Sequence, residues 1–138
     1  MSPSFNHGYL QIKLGAALLS LNKYTVLSEL SLDIQGKEFR PDICLYSQRK
    51  TNFLYDIVRM TEMPLLAIEI LSMSQNIKEA VDKFEVYFDA GISSCWLVMP
   101  FPHSVTVFNG LDQVASYSGG KIIDPKLGIE LNFDDIFN

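Results

Sequence analysis

The sequence predicts an α/β domain in the order helix, three strands, helix, further strands, and three stretches carry that prediction. Residues 5–23 set Leu10, Leu14, Ala17, Leu18 and Leu21 at helical spacing and keep Asn6, His7, Lys13 and Asn22 off the stripe, as in an amphipathic helix. The run Pro64-Leu65-Leu66-Ala67-Ile68-Glu69-Ile70-Leu71 reads as a strand buried on both faces. After it, Ile77, Ala80, Val81, Phe84 and Phe88 form a second helical stripe, and Gly91 stands just past its end, where a left-handed residue closes a helix.

The other elements follow in order. Residues 24–34 alternate from Ser28 onward, with Leu30, Leu32 and Ile34 on one face and Glu29, Ser31 and Asp33 on the other, the period of a half-buried strand. Gln35-Gly36-Lys37 turns the chain, and residues 39–46 form a second strand, so the two make a hairpin. On that second strand Arg40, Asp42, Cys44 and Tyr46 point to the side opposite Ile43 and Leu45. Residues 47–63 open with a polar run and read as a short helix or a loop that packs back. Ser72 and Gln75 have capping-box spacing, and Asn76 with Glu79 offers a second helix start. Residues 92–99 read as another buried strand. Shorter strands are expected at 104–108, 114–117 and 129–131, with a closing turn at 133–137.

A chain of 138 residues, 48% of them hydrophobic, suits one domain with a proper core, here 1–138. No apolar run reaches bilayer length and no signal-peptide pattern opens the chain, so a cytoplasmic protein with no membrane partner is expected. Cys44 and Cys95 lie in strand-like segments without metal-ligand spacing and read as buried, reduced thiols. The net charge of −5 is uneven: residues 1–59 carry seven basic and five acidic side chains, residues 60–138 four and eleven. Lys13, Lys23, Arg40, Arg49 and Lys50 therefore offer phosphates a mildly positive face, while the acidic total argues against tight non-specific nucleic-acid binding.

Glu69 is the most telling residue. A carboxylate inside a doubly buried strand costs several kcal/mol, roughly, unless a cation or a lysine compensates it. Asp42, directly after Pro41, and Lys83, on the following helix, are the groups able to join it. Taken singly, Asp42 reads as a strand-end residue and Lys83 as a solvated helix residue; together the three outline a metal-dependent nuclease site. On a helical wheel Lys83 lies beside Ala80 and Tyr87, at the edge of the apolar stripe, so its ammonium is able to reach the sheet. Glu29 reads as solvated strand charge or an additional ligand, His7 as a helix-start residue or a phosphate-positioning one, and Gln75 as a cap or a substrate contact. Tyr87 and Trp96 read as core aromatics. No glycine-rich phosphate loop or zinc quartet is visible, and two histidines leave little material for a hydrolase triad.

The combination of Asn6-His7-Gly8, Pro41-Asp42, Ile68-Glu69-Ile70-Leu71-Ser72, Lys83-Phe84-Glu85-Val86-Tyr87, Gly91, Trp96-Leu97-Val98-Met99-Pro100, Asp124-Pro125 and Ile136-Phe137 resembles the Uma-two family, restriction-endonuclease-like proteins abundant in cyanobacteria. The resemblance spans nearly the whole chain. It implies the PD-(D/E)XK fold, a central mixed sheet flanked by helices, and a phosphodiester hydrolase acting on DNA. It implies Asp42 and Glu69 as ligands of magnesium, with manganese as a substitute, and Lys83 as the catalytic cation. The usual superfamily lysine lies two residues after the acidic strand residue, where this chain has Leu71; in the family variant the lysine comes from the next helix, the position of Lys83. Met73 and Glu79 depart from the family's usual proline and aspartate without removing a member of the site. The alternative is a catalytically silent nuclease-fold module, homodimeric through its apolar C-terminal strands.

Overall fold

The structure is a computed structural model and describes residues 4–138. Helix α1 (Phe5–Leu19) is capped by Ser4, whose side chain accepts the His7 N–H, and it buries His7, Leu10, Leu14 and Leu18 along one stripe. Strand β1 (Tyr24–Ser28) follows, then a small hairpin of β2 (Leu32–Ile34) and β3 (Lys37–Phe39), then β4 (Ile43–Ser47) and β5 (Leu66–Ile70). Helix α2 (Ile77–Asp89) leads to β6 (Ser94–Met99), β7 (Ser104–Gly110) and β8 (Gln113–Tyr117); a second small hairpin of β9 (Lys121–Asp124) and β10 (Ile129–Asn132) and a short helix α3 (Asp134–Phe137) close the chain. The main sheet runs β1-β4-β5-β6-β7-β8. Only β5 and β6 pair in parallel within it, joined by the α2 crossover, and the other pairings are antiparallel. This is a mixed sheet flanked by helices, as expected.

Each face of the sheet has its own core. On one, Leu10, Leu14 and Leu18 of α1 pack with Ile43, Leu45, Ile68, Ile70, Trp96 and Val98, and β9, β10 and α3 complete the cover. On the other, Phe84 and Tyr87 of α2 pack with Ala67, Leu71, Cys95 and Leu97, and with Leu32 and Ile34 from the small hairpin. Strand β5 alternates between them, which is why its sequence is apolar throughout: Leu66, Ile68 and Ile70 belong to the α1 side, and Ala67 to the α2 side with Glu69. Burying one such leucine contributes about 1.5–3 kcal/mol. Both cysteines are buried and unbridged, as read from sequence.

The expected strand over 24–34 is two. Glu29 takes a left-handed conformation (φ 54°) and donates its N–H to the Asp42 carbonyl, which ends β1. Beyond this break the apolar side changes partner: Val26 packs toward the α1 core, whereas Leu32 and Ile34 lie in the α2 core. Glu29 therefore stands at the break and not on a strand's polar face. The second strand is divided likewise, into β3 and β4, with Arg40 and Asp42 between them. Five strands thus precede α2 where three were expected. Residues 48–63 form no helix; they run as a loop whose end returns to the small hairpin, Met60 N–H donating to Ser31 O and Asp33 N–H to Met60 O. Strand β9 was not expected at all.

Candidate functional site

Asp42, Glu69 and Lys83 meet at the C-terminal end of β5. The antiparallel register sets Ile43 opposite Ile68, and the pairing continues one residue outward, Asp42 N–H donating to Ile68 O at 3.0 Å. Asp42 thereby turns its side chain back on the strand: Oδ2 accepts the Ile70 N–H at 2.6 Å. Its other oxygen, Oδ1, lies 3.1 Å from His7 Nε2, and the second ring nitrogen of His7 is buried with no hydrogen-bond partner among the described residues. Gln11, one turn along α1, donates from Nε2 to the Asp42 carbonyl at 3.0 Å and to Glu29 Oε2 at 3.3 Å. The first helix thus holds Asp42 from one side and β5 from the other.

Glu69, across from Asp42 in the β4–β5 register, lies on the sheet face that α2 covers. Tyr87 donates its hydroxyl to Oε2 at 2.8 Å, and Lys83 Nζ lies 3.5 Å from Oε1. Lys83 and Tyr87 are four residues apart on one helix and so share a face. The helix is set in place by a reciprocal cap: Asn76 Oδ1 accepts the Glu79 N–H, and the Glu79 carboxylate accepts the Asn76 N–H. Of the two expected starts the second is the cap. Gln75 instead closes the preceding turn, its Oε1 accepting the Ser72 N–H.

The electrostatics follow from burial. The Glu69 side chain is 9% exposed, and its carboxyl is pushed up to about 7, first by burial and further by the charge of Asp42, while Lys83 and the Tyr87 hydroxyl pull it back. Burial also raises Asp42, against the Ile70 N–H, His7 and Lys83. Burial and the Glu69 charge hold the Tyr87 phenol far above its usual range, so it stays a donor. Lys83, with 38% of its side chain exposed, links the carboxylate to solvent. The oxygens of Asp42 and Glu69 are the hard donors gathered here, and each can still accept after its present partner because a carboxylate offers about four lone-pair sites. Among the described residues no group of three or more His, Cys, Asp or Glu side chains is assembled to hold a metal ion by itself.

The basic set is dispersed. Arg49 forms a two-pronged pair with Glu62 and lies over the Tyr46 ring; Arg40, at the other end of β4, pairs with Glu38, two residues before it. Lys13 sits over Tyr9, and Lys23 and Lys50 are exposed. Trp96 and Tyr87 are core residues as expected. What the sequence reading missed is the polar work both do. Trp96 Nε1–H donates to Asp124, a fully buried carboxylate that also accepts from Asn109 Nδ2 and from the Lys126 and Leu127 N–H groups. That centre is enclosed and saturated. The signal for Tyr87 was present, since it stands four residues after Lys83; nothing local announced Gln11.

No described helix is long and apolar enough to cross a membrane. None of the curated proteins matches the chain. A solved structure, titled as a putative nuclease belonging to DUF820 from Anabaena variabilis, superposes with a TM-score of 0.84 at 18% identity, over 99% of this chain and 83% of that one. At that identity the likeness shows the fold. The profile of the Uma2 family, described as putative restriction endonuclease, matches residues 1–134, the span that holds His7, Asp42, Glu69 and Lys83, and the chain belongs to that family.

Proposed function

We propose that the protein is a divalent-metal-dependent nuclease that hydrolyses phosphodiester bonds in DNA, with Asp42 and Glu69 as ligands of magnesium, or of manganese in its place. The observation that carries this reading is the position of Lys83: a helix lysine, in place of one at position 71, has its ammonium 3.5 Å from the buried Glu69. The donor set fits the metal. Magnesium takes oxygen ligands, binds through one or two carboxylates, and leaves its remaining positions to water and phosphate. When bound it polarises a phosphoryl oxygen and lowers the pKa of a coordinated water.

The chain's own groups have distinct tasks. His7 and the Ile70 N–H fix the Asp42 carboxylate in one orientation, and Tyr87 fixes Glu69. Lys83, partly exposed, is free to swing from Glu69 to a phosphate oxygen, where its charge opposes the negative charge that grows as water attacks phosphorus and the ester oxygen departs. Glu29 and Gln11 support the Asp42 main chain from outside this pair.

The test is nicking of supercoiled plasmid, with manganese titration calorimetry on the same preparations at about pH 8, above the Glu69 range. Lys83→Ala is expected to bind manganese and to lose roughly 10²–10³-fold in nicking rate, the scale of one transition-state stabiliser. Glu69→Ala is expected to lose binding and nicking together. Wild-type-like nicking by Lys83→Ala overturns the catalytic role. A wild type that cuts no nucleic acid leaves the alternative, a silent module paired with a second copy through the C-terminal strands, where Leu111 and Val114 at the β8 edge are half exposed.

A further inference from the structure

Beyond the C-terminal ends of the parallel pair β5 and β6 lies a cavity of about 460 Å³, within the range of small-molecule sites. Crevices at this end of parallel strands are where α/β sheets take ligands. Its wall begins at Leu71 and Ser72, two and three residues after Glu69, and includes Asn6, the neighbour of His7. It therefore adjoins the carboxylate site along the chain, although Asp42, Glu69 and Lys83 do not themselves line it. Three apolar side chains of this wall stand in solvent: Met73 fully, Phe101 at 87% and Ile77 at 49%. Exposed apolar groups so close together are costly and mark a contact surface.

The polar part of the wall consists of the Ser72 hydroxyl, which is hydrogen-bonded with Ser74, and of amides. Asn6, Gln75 and Asn76 line the cavity, and no charged side chain does so among the described residues. Gln75 and Asn76 spend their oxygens on the Ser72 and Glu79 N–H groups, so their amide nitrogens are left as donors with no partner among the described residues. With no cation among the described residues of the wall, the aromatic ring and the thioether offer a phosphate nothing, and the neutral amides do not select it. Together they suit a nucleobase, whose π-face stacks on the ring while its edge accepts hydrogen bonds. Duplex DNA cannot present a base in this way, because its faces are already stacked. The acidic balance of the chain and the pairing of Arg40 and Arg49 leave little phosphate attraction, so stacking has to supply much of the affinity.

We infer that this cavity seats one unstacked base of the strand whose neighbouring phosphate lies at Asp42 and Glu69, and that the substrate is single-stranded or locally unpaired nucleic acid. The inference rests on the nuclease reading for the phosphate's place and adds the form of the substrate.

The test uses fluorescently labelled DNA of roughly 20 nucleotides, long enough for one site, carrying 2-aminopurine, offered single-stranded or as duplex in calcium buffer. Phe101→Ala and Met73→Ala remove exposed side chains and leave the core intact, which circular-dichroism melting verifies. Expected are tighter binding of the single strand than of the duplex, quenching of the 2-aminopurine on binding, and loss of that quenching with roughly 5- to 100-fold weaker single-strand binding in Phe101→Ala. Equal binding of both forms, or a single-strand preference unaffected by either substitution, overturns the seat. If plasmid is nicked while Phe101→Ala is silent, the seat falls and the nuclease reading stands. If quenching depends on Phe101 but nothing is cut, the seat stands and the nuclease reading falls. Selective capture of peptides in place of DNA overturns both.

Discussion

Glu69 combines three properties that rarely coincide on a sheet residue: it is ionisable, nearly buried, and held between a tyrosine and a lysine. Its raised pKa has a thermodynamic consequence whose sign is fixed. The folded protein keeps a proton that the unfolded chain releases, so this group's contribution is most favourable below the unfolded carboxyl range and is lost as pH rises through about 7. At about one and a third kcal/mol per pKa unit, the loss is on the order of 3 kcal/mol. Asp42, also raised, works in the same direction. Glu69→Gln removes the titration, so the difference in urea stability between variant and wild type is expected to shift in the variant's favour between about pH 5 and about pH 8 in metal-free buffer. A parallel pair of stability curves across that window would contradict the buried, raised carboxyl. The sequence made this residue legible because an acid amid Leu65, Leu66, Ala67, Ile68, Ile70 and Leu71 has no solvent face. It left open the Tyr87 contact to Glu69 and the His7 contact to Asp42, because both depend on how helices cross the sheet.

The helices and strands were read with uneven success, for physical reasons. Helix α2 announced itself through its stripe, its cap and Gly91, whose φ of 104° is the left-handed closure expected there. The break at Glu29 was hidden because its left-handed backbone sits on an ordinary residue, and the alternation of Leu30, Leu32 and Ile34 continues across it. Strand β9 was hidden because its four residues include two charged ends and because its inward groups, Ile122 and Asp124, are of unlike type. Asp124 holds this element to β6 through Trp96 and to β7 through Asn109. Asp124→Ala leaves those donors buried without an acceptor, at about 1–3 kcal/mol each for the well-enclosed ones. We expect it to lower unfolding free energy by about 3 kcal/mol or more, against about 1 kcal/mol for Asn76→Ala, which removes only a helix cap. Urea titrations of the two variants measure the contrast; a mild Asp124→Ala would mean that β9 is held by Ile122 and its apolar neighbours alone.

At the scale of the molecule, the two cores are separate layers and the site lies where their boundary reaches the sheet's end: Asp42 is braced by α1 from one core, and Glu69 by α2 from the other. A cation shared by these two carboxylates would therefore tie both layers together, and its effect belongs to global stability. Binding to the folded state alone stabilises it by about 2.7 kcal/mol at a hundredfold excess over Kd, which for a chain of this size raises Tm by roughly 5–10 °C. Manganese is expected to produce such a rise in the wild type, and Asp42→Ala is expected to lose most of it. The metal competes with the Glu69 proton, so the rise should be larger at about pH 8 than at about pH 6, on either side of the group's value of about 7. Lys83→Ala separates two effects. Removing the ammonium raises Glu69 further, because Lys83 is the chief group pulling it down, and so weakens metal binding at the lower pH; at the higher pH the vacated oxygen favours the metal. The Tm increment of that variant should therefore depend more steeply on pH than the wild type's. Differential scanning calorimetry at both pH values tests this, and an increment independent of pH in all three proteins would place any bound cation away from Glu69.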